Sequence, residues 1–305
     1  TNIGADHRFE NGLVLTGDLS YTKDLNAAHV QNWGIRNPSG TLNAPGDNRP
    51  VYTASDKGNN AYVFTNSDKG RIINATLKAQ KTFNNGLYTS FAYNYLNAKD
   101  VNSIEAEITG DAFDFNPNLG NANNDVLSYS KYGDTHRFIG VASKRFTFFG
   151  EKAPTTFSTF FEYAQGGRFN YTYAGNINGD PSGQNNDLLY IPTSSEVQQM
   201  IFSGPGQAAA LEAYIEQDDY LNDNRGDYMD RYGALAPWRG KWDVKFIQEL
   251  KVSKDNAIQF SVDVLNIGNL INSDWGVIQQ PNDLTPLSVA FDTNNDPVFT
   301  FDDTL

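Results

Sequence analysis

Oxygen-bearing side chains recur at metal-ligand spacing in one stretch of this 305-residue chain, Asn176-Ile177-Asn178-Gly179-Asp180-Pro181-Ser182-Gly183-Gln184-Asn185-Asn186-Asp187. Asn176, Asn178, Asp180 and Asp187 fall at positions 1, 3, 5 and 12 of it, places that supply oxygens in an EF-hand calcium loop. Pro181 stands where such a loop needs glycine, and the last ligand would be Asp rather than Glu. The same residues suit an Asx-rich turn that hydrogen-bonds its own backbone. A structural calcium ion and a self-sufficient turn are both open.

Other chemistry is thinly represented. His7, His29 and His136 sit near turns or loops, and none has a metal-ligand partner at helical or strand spacing. There is no Gly-x-Ser-x-Gly elbow, phosphate loop or His-Glu-x-x-His. The pairs Asp218-Asp219 and Asp302-Asp303 read as solvated loop charge. The absence of Cys removes thiol catalysis, thiolate metal sites and disulfides together. The chain reads as a non-enzyme that needs no other cofactor. Thirty-six acidic against 23 basic residues, a net charge of −13, argue against a nucleic-acid binder, whose phosphate contacts need a basic face. The tripeptide Arg225-Gly226-Asp227 mediates adhesion elsewhere; here structure explains it better.

The elements behind these residues alternate with period two. Leu13, Leu15, Gly17, Leu19 and Tyr21 interleave with Val14, Thr16, Asp18, Ser20 and Thr22. Similar runs are Ile73–Phe83, Leu87–Tyr95, Trp242–Val252 and Ile258–Val264, and segments 134–149 and 155–172 are strand-like with less clean faces. Lys78, Asp243, Lys245, Glu249, Lys251 and Asp263 all fall on polar faces. Two helices stand out: 205–217, opened by Pro205, and a shorter one at 194–202 capped by Ser194 or Ser195.

Short and long connections take turns. Phe83-Asn84-Asn85-Gly86-Leu87 is a tight hairpin, with Asn-Gly supplying positive φ. Gly150–Pro154 and Lys254-Asp255-Asn256 are similarly short, whereas 24–70, 100–133 and 173–238 are long, polar excursions. Arg8-Phe9-Glu10-Asn11-Gly12-Leu13 echoes the hairpin at 83–87, which puts both turns at the same end. An aromatic content of 13% argues against disorder, and no apolar run approaches the roughly 18 residues of a spanning helix. A soluble β-sandwich with decorated loops and an outer-membrane barrel both alternate in this way. Three features favour the barrel: strands meeting the roughly 9–11 residues needed to cross a bilayer, charges repeating on one face, and Tyr and Phe gathered near strand ends.

A family resemblance sharpens this. The stretch Gln207–Glu216, then Tyr220-Leu221, Arg225-Gly226-Asp227, Arg231-Tyr232-Gly233-Ala234, Ala236-Pro237-Trp238 and Trp242-Asp243-Val244-Lys245-Phe246 is ordered and long. Downstream come Phe260–Asn272 and Asp274-Trp275-Gly276; upstream come Asn178-Gly179-Asp180 and Asn186-Asp187-Leu188-Leu189-Tyr190-Ile191-Pro192. Together they resemble the C-terminal barrel of Oar-like TonB-dependent outer-membrane receptors, common in Bacteroidota. The resemblance implies an all-β protein, a transmembrane antiparallel β-barrel of 22 strands whose long extracellular loops carry short helices. This chain, 1–305, supplies about seven or eight strands of it. Plug domain, TonB box, N-terminal regulatory-like domain and closing strand fall outside.

Implied with it are a bacterial outer-membrane location and a transport role, with cargo and direction open between uptake and export. The implied partners are outer-membrane lipid and lipopolysaccharide, other envelope proteins, and TonB-ExbB-ExbD acting through the plug. A surface-exposed binding or adhesion protein without active transport is the alternative. On the barrel reading, Lys78, Asp243, Lys245, Glu249, Lys251 and Asp263 line the lumen, while Trp242, Val244, Phe246 and Leu250 face lipid. The loops lie outside the cell and the tight turns in the periplasm. We expect an open arc rather than a closed barrel of eight strands, with a further strand preceding Thr1.

Overall fold

The computed structural model describes residues 1–104 and 106–301; the Asp302-Asp303 pair lies outside them. One antiparallel sheet dominates. Its long strands are β1 (Asn2–Arg8), β2 (Val14–Lys23), β3 (Arg71–Thr82), β4 (Leu87–Asp100), β5 (His136–Phe146), β6 (Thr155–Ala164), β7 (Arg239–Lys251) and β8 (Ala257–Val264). Their spatial order is their chain order, so every neighbour is joined by a simple up-and-down connection. Among the described residues β1 pairs only with β2 and β8 only with β7, so the described sheet is open at both edges. Among the described residues no helix is long and apolar enough to cross a membrane.

The strand expected before Thr1 is β1, inside the chain. Asn2-Ile3-Gly4-Ala5-Asp6-His7-Arg8 is too short and too polar to stand out, yet it pairs residue by residue with β2, from Asn2 opposite Ser20 to Arg8 opposite Val14. The turn between them repeats the turn between β3 and β4 atom for atom. Phe9 N–H donates to Leu13 O and Gly12 N–H to Phe9 O; Phe83 and Gly86 do the same to Leu87 and Phe83. Asn11 and Asn85 each accept from the N–H two residues on. Positive φ falls on Gly12 (83°) and Gly86 (79°) alone, not on the preceding Asn. This is the longer hairpin turn that ends in a left-handed glycine.

The buried core lies in the long connections rather than on the sheet. Leu188, Leu189, Ile191, Val197, Leu211, Ile215, Leu221 and Met229 pack with Leu42, Tyr171, Tyr173 and Ile177. A satellite cluster of Val30, Ala112, Phe113 and Ala122 joins the strands Ala27–Asn32 and Tyr62–Ser67 to helix α1 (Thr109–Asp114). A terminal hairpin, β9 (Leu287–Phe291) and β10 (Pro297–Phe301), adds Leu287, Phe299 and Phe301 to the main core. Within it Phe299-Thr300-Phe301 alternates apolar and polar. The hairpin belongs to the loop layer, where β9 runs parallel to Tyr173-Ala174 and β10 to Ile201-Phe202.

Beside α1 the described helices are α2 (Ser194–Val197), α3 (Gln207–Gln217), α4 (Asp219–Asp223) and α5 (Gly268–Ile271). The cap of α2 is Thr193 rather than Ser194 or Ser195, because Thr193 and Glu196 form a reciprocal capping box. The helix expected to reach residue 202 stops at Val197, and Ile201-Phe202 pairs with β10 instead.

Candidate functional site

Register sorts the sheet into two faces. On one face Leu19 lies opposite Ile3 and Ala75, and Leu77 opposite Gly17 and Tyr93. Phe138 lies opposite Tyr93 and Tyr163, Phe246 opposite Phe157 and Val262. This mainly apolar face runs across all eight strands, interrupted by Lys144 opposite Leu87 and Phe157 and by Gln248 opposite Thr155 and Phe260, and it is uncovered: Leu77 is 66% exposed, Phe260 61% and Ile3 69%.

The other face carries every charged residue singled out from the alternation. Lys78 is opposite Thr16 and Ala92, Lys245 opposite Ser158 and Asp263, Glu249 opposite Gln259, and Lys251 opposite Ala257. Cross-strand ion pairs join Lys245 to Asp263 at 3.1 Å and Arg137 to Glu162 at 3.0 Å, and Asp243 pairs with Lys241 at 3.1 Å. Ile139, Val141 and Phe160 also fall here, which explains why those two segments show less clean alternation.

At the loop end, buried arginines tie separate connections together. Arg49 is fully buried; its Nε bonds both Asp47 oxygens at 3.0 Å, its Nη2 bonds Leu188 O at 2.8 Å, and its Nη1 lies 3.6 Å from Asp187 Oδ1. Its guanidinium also stacks on Tyr173, 4.8 Å from the ring centre. Arg231 pairs with Asp100 at 2.8 Å, fixing the 173–238 connection to the end of β4. Arg225 of the Arg-Gly-Asp tripeptide pairs with Glu212 at 2.9 Å and bonds Pro192 O, and Asp227 lies in a two-residue strand. The tripeptide is a structural tie.

The oxygen-rich stretch 176–187 is partly buried in this layer: Asn178, Asp180, Ser182, Asn186 and Asp187 are buried, whereas Asn176 and residues 183–185 are exposed. Asn178 Oδ1 accepts from Asp180 N–H, Asp180 Oδ1 from Ser182 N–H, and Asp187 Oδ2 from Ile177 N–H. Asn178 Nδ2 reaches Gly120 O. Burial pushes the Asp187 carboxyl up to about 7, with the Arg49 charge opposing and the Asp180 charge adding. Burial likewise raises Asp180, against the hydrogen bonds it accepts. Among the described residues no three His, Asp or Glu side chains gather into a metal shell. His29 bonds Asn123 O and His136 bonds Tyr93 OH.

One feature escaped the sequence altogether. A cleft of about 800 Å³ opens between the α3–α4 junction and the segment following β8, lined by Phe169, Tyr171, Tyr214, Asp218, Tyr220 and Asp283 among others. Asp218 is committed twice within it, capping α4 through Leu221 N–H and accepting from Tyr171 OH. Its lining comes from four separate segments, so no local motif announces it.

The class these features define is a mainly β protein: an open antiparallel sheet with one apolar and one charged face, topped by a packed loop layer. Comparison with known proteins finds no matching family model, no matching curated protein and no matching solved structure.

Proposed function

We propose that this chain is the loop-bearing arc of an outer-membrane β-barrel, from a TonB-dependent receptor of the Oar-like kind, which moves a large substrate across the outer membrane. The observation that carries the reading is the broad, exposed and mainly apolar face backed by a charged face on an up-and-down sheet. Water-soluble monomers rarely expose apolar patches beyond a few hundred Å². A barrel wall in lipid needs that pattern, with polar residues turned to the lumen.

Dimensions agree. Ten residues separate Ile73 from Phe83 along β3 and its turn. At about 3.4 Å per residue and a tilt of about 40°, they rise roughly 26 Å, near the roughly 25 Å apolar band of such barrels. Phe9, Phe83, Phe146 and Phe148 mark the short-turn end, and Tyr21, Tyr93, Tyr95, Tyr163 and Trp238 the loop end, as two interfacial girdles would. The open edges at β1 and β8 need partners, because lipid leaves backbone N–H and C=O groups unsatisfied at several kcal/mol each. On this reading, other strands of the same barrel supply them. The polar face with Lys78, Asp243, Lys245, Glu249, Lys251 and Asp263 lines the lumen, and the cleft between α3, α4 and residues 278–283 faces arriving cargo.

The test is contact with the energy-transducing partner. Photo-crosslinking of the full-length gene product in living cells should capture TonB through the plug. Correct outer-membrane assembly with no TonB crosslink would favour a surface-binding or adhesion protein instead.

A further inference from the structure

The turn at 176–187 is built around one atom. Asn176 Nδ2 lies 2.7 Å from Ser182 O, 2.8 Å from Asp180 O and 3.4 Å from Asp180 Oδ1. Three oxygens from two residues thus converge on a single point. Ser182 is the seventh residue of the stretch, the position whose backbone carbonyl binds the ion in an EF-hand. Convergence on an amide is within the reach of any Asx turn, so it decides nothing alone.

The surroundings do more. Asp180 Oδ2, Asp187 Oδ1 and both amide atoms of Asn186 have no hydrogen-bond partner, in residues only 3%, 0% and 1% exposed. Left so, each such atom carries the full cost of its desolvation, and in native proteins it commonly marks a bound ion or water. Charge points to an ion. Asp114, Asp180 and Asp187 crowd this region with Asp47, and the single guanidinium of Arg49 is shared between Asp47 and Asp187. Lys57 spends its ammonium on Gly179 O at 2.8 Å.

We propose that this stretch binds one calcium ion, held by the Asp180 carboxylate, the Ser182 carbonyl and Asp187 Oδ1, an oxygen whose charged neighbour is Arg49 Nη1 at 3.6 Å. The Asn176 amide turns over so that its oxygen replaces its nitrogen at the point of convergence. That turn uses a terminal torsion with a broad two-fold profile, and it exchanges the 2.6 Å bond from Gly179 N–H. Asn178 stays a turn-former, since both ends of its amide are committed. The mixed carboxylate, amide and carbonyl donors suit calcium, which accepts irregular shells, better than magnesium, which demands a near-octahedral one. Pro181 replaces the glycine of an EF-hand, so the affinity class is that of extracellular modules, about 10⁻⁴–10⁻³ M.

The experiment uses the full-length protein in detergent, with calcium alone as the probe. Raising calcium from a chelated baseline to several times the expected dissociation constant should lift the unfolding midpoint by about 3 °C or more, and magnesium should not. Terbium should luminesce on aromatic excitation and be displaced by calcium. Asp180→Asn should lose both responses, and Asp255→Asn, in an exposed turn, should keep them. Asn176→Asp adds a charged oxygen at the first position and should tighten calcium binding about tenfold. No calcium response in the unmodified protein overturns the proposal. So does a response that survives Asp180→Asn, or weaker binding in Asn176→Asp.

Discussion

Exchange of Phe246 and of its neighbour Lys245 for arginine should have opposite consequences. Phe246 lies at the middle of β7 between Phe157 and Val262, with its ring turned out from the apolar face. Lys245 points the other way, opposite Ser158 and paired with Asp263 at 3.1 Å. If the apolar face meets lipid, Phe246→Arg places a charge near the bilayer midplane, at a cost of about 2–4 kcal/mol. That corresponds to roughly 30- to 1,000-fold in the folding equilibrium. Lys245→Arg keeps its charge and its partner, and should stay within about 0.5 kcal/mol. On a water-exposed sheet Phe246 would already be solvated, and both changes would fall within that same small range. The assay is guanidinium unfolding of the full-length barrel refolded into phospholipid bilayers. Equal midpoints for the two variants would refute the assignment of the faces.

Sidedness gives a second outcome: protease added to intact cells should cut within the connections 24–70, 101–135 and 165–238. Cleavage at Asn84-Asn85-Gly86 or Lys254-Asp255-Asn256 without permeabilisation would contradict the topology. A third concerns Arg49. Replacing it with Met leaves Asp47 and Asp187 buried without their cation, which should cost about 3–5 kcal/mol and expose the loop layer to limited proteolysis while the strands remain protected. An unchanged digestion pattern would remove Arg49 from its place as the tie between connections.

The strands were legible because each residue type answers to the medium on its side. Val244, Phe246 and Leu250 against Asp243, Lys245 and Glu249 read directly as two faces, and the register places them so. β5 and β6 were blurred by Ile139, Val141 and Phe160 on the charged face. β1 was missed because seven mostly polar residues carry too few apolar positions to show a period. Leu287, Val289 and Phe291 also alternate, but period two cannot say which sheet a strand joins, and this hairpin enters the loop core. Thr193 hid as a cap because Ser194 and Ser195 follow it, and only the reciprocal bond from Glu196 distinguishes them. Within the candidate sites, the Asx ladder at 176–187 was readable from spacing. The clasp of Arg49 on Asp47 and Asp187 and the cleft lined by Tyr171, Tyr214 and Asp283 join segments far apart in the chain, beyond the reach of any local pattern.

The central claim, that one face of this sheet meets lipid and the other water, can be read strand by strand. The chain has no cysteine, so single cysteines placed along β8 from Ala257 to Val264 take a nitroxide label at one known position each. Electron paramagnetic resonance in the full-length protein in bilayers then reports which labels oxygen, enriched in lipid, relaxes and which a water-soluble nickel chelate relaxes. The predicted result is strict alternation, with oxygen dominant at 258, 260, 262 and 264 and the chelate dominant at 257, 259, 261 and 263. Chelate access at every position would contradict the account.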